Sequence, residues 1–252
     1  IKLLLASPDW RAQTLTLNLF VDNNMLMVLF RKTSKLSFIT LMLVIATGCA
    51  TSRGVIDIVD EISLNPEAGQ AIKFVRVTDN RDFQLNPRQA DIPSLKHGEI
   101  DDSSVTERAI ARKRNSYGKA LGDILLPEGK TVMDVVENRL TEGFRENGYR
   151  VITNKDAGYD TAIPIQVDIN KFWGWFSPGF WSLGMNFVTS IIVTAPVDGF
   201  SEGIEFDSEV QKRFQTASGG NWTKVIDLSL DELNRDIEAE IREMQSANQT
   251  GL

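Results

Sequence analysis

This 252-residue chain has few residues able to do chemistry: one cysteine, Cys49, and one histidine, His97. A lone thiol excludes a disulfide framework and any cysteine-rich metal or iron–sulfur site. A lone imidazole excludes histidine clusters and leaves at most one Ser–His–Asp arrangement. His97 sits in Lys96-His97-Gly98, which reads as an exposed loop. Glu99, Asp101, Asp102 and Glu107 form an acidic run without the spacing or glycine of an EF-hand loop. Asp79-Asn80-Arg81-Asp82 reads as the polar end of a strand. The sequence carries no P-loop, no dinucleotide-binding glycine fingerprint and no H-E-x-x-H. These observations predict a protein that is not an enzyme and takes no cofactor and no metal. The formal charge of −7 argues against a nucleic-acid partner, because phosphate neutralisation needs a basic surface.

The thiol itself is the strongest chemical signal. Arg31, Lys32 and Lys35 form a positive patch, Leu36 to Ala46 is an uncharged apolar run of eleven residues, and Ala46-Thr47-Gly48-Cys49 follows. Eleven residues of helix reach only about 16 Å, whereas a bilayer core takes roughly twenty residues. The run therefore has the length of an export-signal core rather than of a membrane span. The pattern resembles a bacterial lipoprotein signal peptide with its lipobox. The resemblance implies cleavage between Gly48 and Cys49, a diacylglyceryl group on the Cys49 sulfur, and N-acylation of the new terminus. Residue 50 is Ala rather than Asp, which in the sorting rule that comes with the resemblance favours the outer membrane. A single acyl chain holds a protein only marginally, and several on one residue hold it stably. Removing residues 1–48 takes away five basic and two acidic residues, so the formal charge moves from −7 to −10. An acidic domain is repelled by an anionic membrane surface, so lipid is expected to be what holds it.

Two further clusters stand out. Lys171 to Trp181 packs Phe172, Trp173, Trp175, Phe176, Phe180 and Trp181 around Ser177-Pro178-Gly179. The odd parity of the preceding strand would carry Trp173 and Trp175 into the core. The rival expectation is an exposed hairpin tip, with Trp173, Trp175, Phe176, Phe180 and Trp181 meeting a partner or the lipid interface. The basic stretch Arg108, Arg112, Lys113, Arg114 and Lys119 reads as a solvated face, with an anion or acidic-partner site as the alternative.

The elements that must position these residues predict an α+β fold: an antiparallel β-sheet with two main helices packed on one face. Ala71 to Val77 alternates as a strand, with Ile72, Phe74 and Arg76 on one side. Thr131 to Asn147 has apolar residues at helical spacing, a Thr131/Asp134 capping pair and Gly148 as a stop. Tyr149–Thr153, Ile163–Ile169, Asn186–Ala195 and Ile204–Phe214 read as strands. A long amphipathic helix follows from Asn221 to Met244, its stripe being Trp222, Val225, Ile226, Leu230, Leu233, Ile237, Ile241 and Met244. The expected organisation is residues 1–26 as upstream over-translation or unstructured chain, with the start at Met25 or Met27. A signal peptide over 27–48, a lipidated N-terminus and tether over 49–70, and a periplasmic domain over 71–247 follow. Within that domain, 83–130 is expected to be a long irregular insertion.

Val77-Thr78-Asp79-Asn80-Arg81, then Val135-Val136-Glu137-Asn138-Arg139-Leu140 up to Asn147-Gly148-Tyr149, then the aromatic strand–turn–strand and the terminal helix, together resemble the YajG-type family of bacterial lipoproteins. The resemblance implies outer-membrane attachment through acylated Cys49, a periplasm-facing α+β domain and no established activity. The primary expectation is a non-catalytic envelope lipoprotein that binds another envelope protein or a cell-wall component. The alternative is an accessory lipoprotein of an envelope transport or assembly machine that binds a small or lipidic ligand. A deep apolar pocket between helix and sheet would favour the alternative.

Overall fold

The computed structural model describes residues 52–59, 63–115, 117–178, 182–216 and 218–250. The export segment, Gly48, Cys49, Phe180 and Trp181 lie outside the described residues. In chain order the strands are β1 (Gly54–Val55), β2 (Ala71–Asp79), β3 (Ala109–Arg114), β4 (Ala120–Leu125), β5 (Arg150–Val151), β6 (Ile163–Pro178), β7 (Leu183–Thr194) and β8 (Ile204–Phe214). The helices are the single turn α1 (Ser103–Thr106), α2 (Val132–Glu146) and α3 (Gly219–Thr250). Among the described residues no helix is long and apolar enough to cross a membrane.

The fold is α+β, and its sheet is mixed rather than purely antiparallel. β6, β7 and β8 form an antiparallel meander. The other edge of β6 is shared: β2 runs parallel to it from Ile163 to Ile169, and β3 runs parallel to it at Gly174 and Trp175. β5 extends the sheet beyond β2, while β4 and then β1 extend it beyond β3. The parallel pairs arise because β2 reaches β6 through a long excursion and a helix, long enough for a crossover, whereas the short links joining β6, β7 and β8 allow only antiparallel neighbours.

α2 and α3 cover one face. Thr131 accepts the Asp134 backbone N–H while the Asp134 carboxylate accepts the Thr131 N–H, the reciprocal cap expected from the sequence. Gly148, at φ +83°, ends the helix in the left-handed region that a side chain would disfavour. Val132, Val135, Val136, Leu140 and Phe144 of α2, and Trp222 to Ile241 of the α3 stripe, are buried against Ile165, Val167, Ile169, Phe187 and Ile191 of the sheet. Each large side chain buried in this way contributes about 1.5–3 kcal/mol. At Gly174 a Cβ would lie 2.6 Å from the Trp222 ring, so only glycine lets the helix sit this close to β6. Trp222 then stacks on Phe176 with ring centroids 5.0 Å apart.

The segment expected to be irregular, 83–130, instead supplies β3 and β4 and covers the second face of the sheet. Phe83, Leu95, Ile100 and Val105 pack there around Trp173, Ala109 and Leu125. Its prolines fall outside the strands, which are short, carry charge and include Gly122, so alternation alone conceals them. The tether expected over 49–70 is also docked in part: Gly54 and Val55 pair with Ile124 and Leu125, and Ile56 and Ile58 enter the main core. Two isoleucines at alternate positions gain more from burial than a free linker would.

Candidate functional site

The aromatic cluster is not an exposed tip over its described part. Trp173 is fully buried, Phe172 and Phe176 are buried, and Trp175 is half-buried. This corrects the partner-surface expectation for Trp173, Trp175 and Phe176; Phe180 and Trp181 fall outside the described residues. The parity argument is corrected too. Pairing of β6 with β7 slips between Ile169 and Lys171, so Asn170 is an extra residue. A bulge of this kind exchanges the two faces. The main core therefore continues through Phe172 and Phe176, while Trp173 turns to the opposite side and gives its indole N–H to the Ala90 carbonyl at 3.3 Å. β2 slips in the same way between Phe74 and Arg76, leaving Val75 exposed and turning Val77 rather than Arg76 towards the core.

Arg81, in the polar strand end, occupies the fork where β2 gives way to β3 beside β6. Its guanidinium holds Asp79 in a bidentate pair, with Nε–Oδ1 at 2.7 Å and Nη2–Oδ2 at 2.6 Å. It also donates to the carbonyls of Thr106, Ala109 and Phe172. Where two strands meet on one edge, some carbonyls lose their ladder partner, and buried carbonyls left unpaired are costly. One planar group with five donors satisfies them together. The side chain is wholly inaccessible to solvent, so Arg81 acts on the fold rather than on a substrate.

Other candidates have structural partners. His97 is exposed in the turn Lys96–Asp101. Asp102 caps α1 by accepting the Ser104 N–H at 3.0 Å, and Glu99 pairs with Arg53. Among the described residues no group of three or more His, Cys, Asp or Glu side chains is placed to hold a metal. Sequence reasoning missed a buried hydroxyl chain. Thr189 and Ser229 are 2.9 Å apart, Ser229 donates to Ser208 at 3.0 Å, and Ser208 donates to Glu232 at 2.9 Å. It ties β7 and β8 to α3 across an apolar interface. Linking both strands to one helix, the chain of hydroxyls fixes the register of α3 on the sheet. It also missed Arg139, which joins α2 to α3 through Asp227 at 3.2 Å and Asp231 at 2.7 Å.

A cleft of about 480 Å³ opens between the sheet and both helices. Ile72 and Ile165 form its floor at the start of β2 and β6; Phe144 and Tyr149 come from the end of α2; Ile241 and Met244 come from the last turns of α3. The turn after β7 closes the far side with Val197 and Phe200, held by Phe200 N–H donating to Val197 O and Ala195 N–H donating to Phe200 O, both at 3.1 Å. Phe144 and Tyr149 meet edge to face at 5.8 Å and make a rigid wall. Gln70, Tyr149, Asp198 and Gln245 contribute polar side-chain groups, and the accessible lining is at least as polar as it is apolar. This composition suits an apolar ligand with a polar head, and the residues that build it were visible in the sequence only as ordinary core positions.

No family model matches the chain, and no curated protein does so either. Two solved structures are similar to it in fold. One is an uncharacterised protein, 10% identical, with a TM-score of 0.42 over 75% of this chain and 99% of that one. The other is protein XCC0632 from Xanthomonas campestris, described as DUF330; it is 9% identical, with a TM-score of 0.43 over 78% of this chain and 99% of that one. Likeness at this level transfers no residue role.

Proposed function

We propose that the protein is a non-catalytic envelope lipoprotein of the YajG type, anchored in the outer membrane through acylated Cys49, whose periplasm-facing domain binds a small apolar or lipidic ligand. The anchor rests on the lipobox-like Ala46-Thr47-Gly48-Cys49. Ligand binding rests on one observation, the open cleft of about 480 Å³ between the sheet, α2 and α3, whose apolar side chains are joined by Gln70, Tyr149, Asp198 and Gln245. A pocket of this size and lining buries an acyl chain or a similar apolar body while its rim solvates a head group. This favours the accessory-lipoprotein reading over binding through an aromatic hairpin, because Trp173 and Phe176 are already committed to packing.

The test is titration of the purified protein with a lysophospholipid below its critical micelle concentration, followed by the change in intrinsic tryptophan fluorescence. Saturable binding is expected, and Met244→Trp, which fills the cleft from its rim, should weaken it about tenfold or more without lowering the melting temperature. Absence of saturable binding, or binding unaffected by Met244→Trp, would refute the cleft as the ligand site.

A further inference from the structure

We infer that the second face of the sheet holds a binding site for a small phosphoryl oxyanion, built from Arg112, Arg114 and Ser94 and independent of the apolar cleft. The three side chains line one cavity of about 140 Å³ between β3, the start of β4 and the preceding excursion. Arg112 and Arg114 are each 6% exposed and Ser94 is 1% exposed. Arg112 Nε, Arg114 Nε and Ser94 Oγ are buried without a hydrogen-bond partner. Arg112 Nε has the Asp123 carboxylate 3.5 Å away, whereas Arg114 Nε and Ser94 Oγ have no acceptor; two orphaned donors on residues that line one cavity are costly in a finished core, and an acceptor-rich ligand would satisfy both.

Charge points the same way. Arg112 has one ion-pair partner, Asp123, at 3.5 Å. That carboxylate is fully buried and already committed: one oxygen accepts the Lys96 backbone N–H at 2.9 Å and the other accepts Arg53 at 3.0 Å. Arg114 donates to the carbonyls of Gly118 at 3.1 Å and Gln89 at 3.2 Å, neutral groups that leave its charge in place. Among the described residues no carboxylate reaches ion-pair distance of Arg114; Asp91 acts on it only from farther away. Burial pushes both guanidinium groups below their ordinary values, and for Arg112 the neighbouring Arg114 adds to that push. Arg53 is shared between Asp123 and Glu99, so the charge left over is that of Arg114, and a buried cation without a carboxylate at ion-pair distance beside a confined cavity is an anion site. The volume exceeds what one water needs and is far below that of a nucleotide or a lipid. Asn86 and Pro87 form the rim, so the oxyanion can enter as the free ion or as the end of a phosphomonoester.

Calorimetric titration of the purified full-length protein with inorganic phosphate, against chloride at equal ionic strength, tests this. Saturable one-to-one binding is expected, with a rise in melting temperature that chloride does not produce. Arg114→Lys keeps the charge but loses the buried Nε donor, and Ser94→Ala removes the hydroxyl; each should weaken phosphate about tenfold or more. Arg139→Lys, between the two helices, should leave it unchanged. Glycerol 3-phosphate binding as well as inorganic phosphate identifies the end of a monoester as the ligand, and binding of inorganic phosphate alone identifies the free ion. No saturable heat with either probe up to about 10 mM, a concentration that would reveal millimolar affinity, overturns the site. So does phosphate binding untouched by Ser94→Ala, which decides the matter if Arg114→Lys fails to fold.

Discussion

The two halves of β6 are built on opposite rules. From Ile163 to Ile169 one face is packed by helices and the other is wet, with Arg76 and Asp168 meeting in solvent at 3.6 Å. From Phe172 to Phe176 both faces are covered, one by Trp222 of α3 and the other by the excursion that precedes β3. Enclosed polar groups need partners; Arg81 supplies them to the carbonyls at the fork, whereas Arg112 and Arg114 on β3 are themselves buried with Nε unpartnered. The open half leaves the same residue type to water. Arg81 and Arg76, two arginines close in sequence, therefore differ in role according to which half of β6 they adjoin.

Substitutions can break or sharpen that contrast. Arg81→Ala should cost the most, about 3–5 kcal/mol, since it strands the Asp79 carboxylate and several buried carbonyls; urea denaturation would measure it. Gly174→Ala, on the covered half, should cost about 1–3 kcal/mol by forcing Trp222 away from β6, visible as a lower melting temperature and altered tryptophan emission. Thr131→Ala, remote from both arginine groups, should lose about 1 kcal/mol through the cap of α2. Arg76→Ala, on the open half, should change stability by less than about 1 kcal/mol. Equal losses from Arg81→Ala and Arg76→Ala would remove the distinction between the two halves.

The helices were legible because their signals are local: the Thr131/Asp134 cap, Gly148, and an apolar stripe from Trp222 to Ile241 that is buried as its spacing implies. The meander of β6, β7 and β8 was legible for the same reason. What stayed hidden depends on contacts distant in sequence. The bulge at Asn170 reverses which aromatics face the helices, and nothing in the aromatic run itself announces it; the shift of apolar parity from Ile169 to Phe172 was the available clue. β3, read as a solvated basic stretch, is buried because the excursion folds over it and brings Ser94 to Arg112 and Arg114. The apolar cleft was legible only as core, since a pocket is a shortage of neighbours, which alternation does not record.

The proposed function places this domain at a membrane through one atom, the sulfur of Cys49. The intact mass of the protein extracted from native membranes tests that directly. A molecule beginning at Cys49 and carrying a diacylglyceryl group and an N-linked acyl chain is the predicted result, and one retaining residues 27–48 with an unmodified thiol would contradict it.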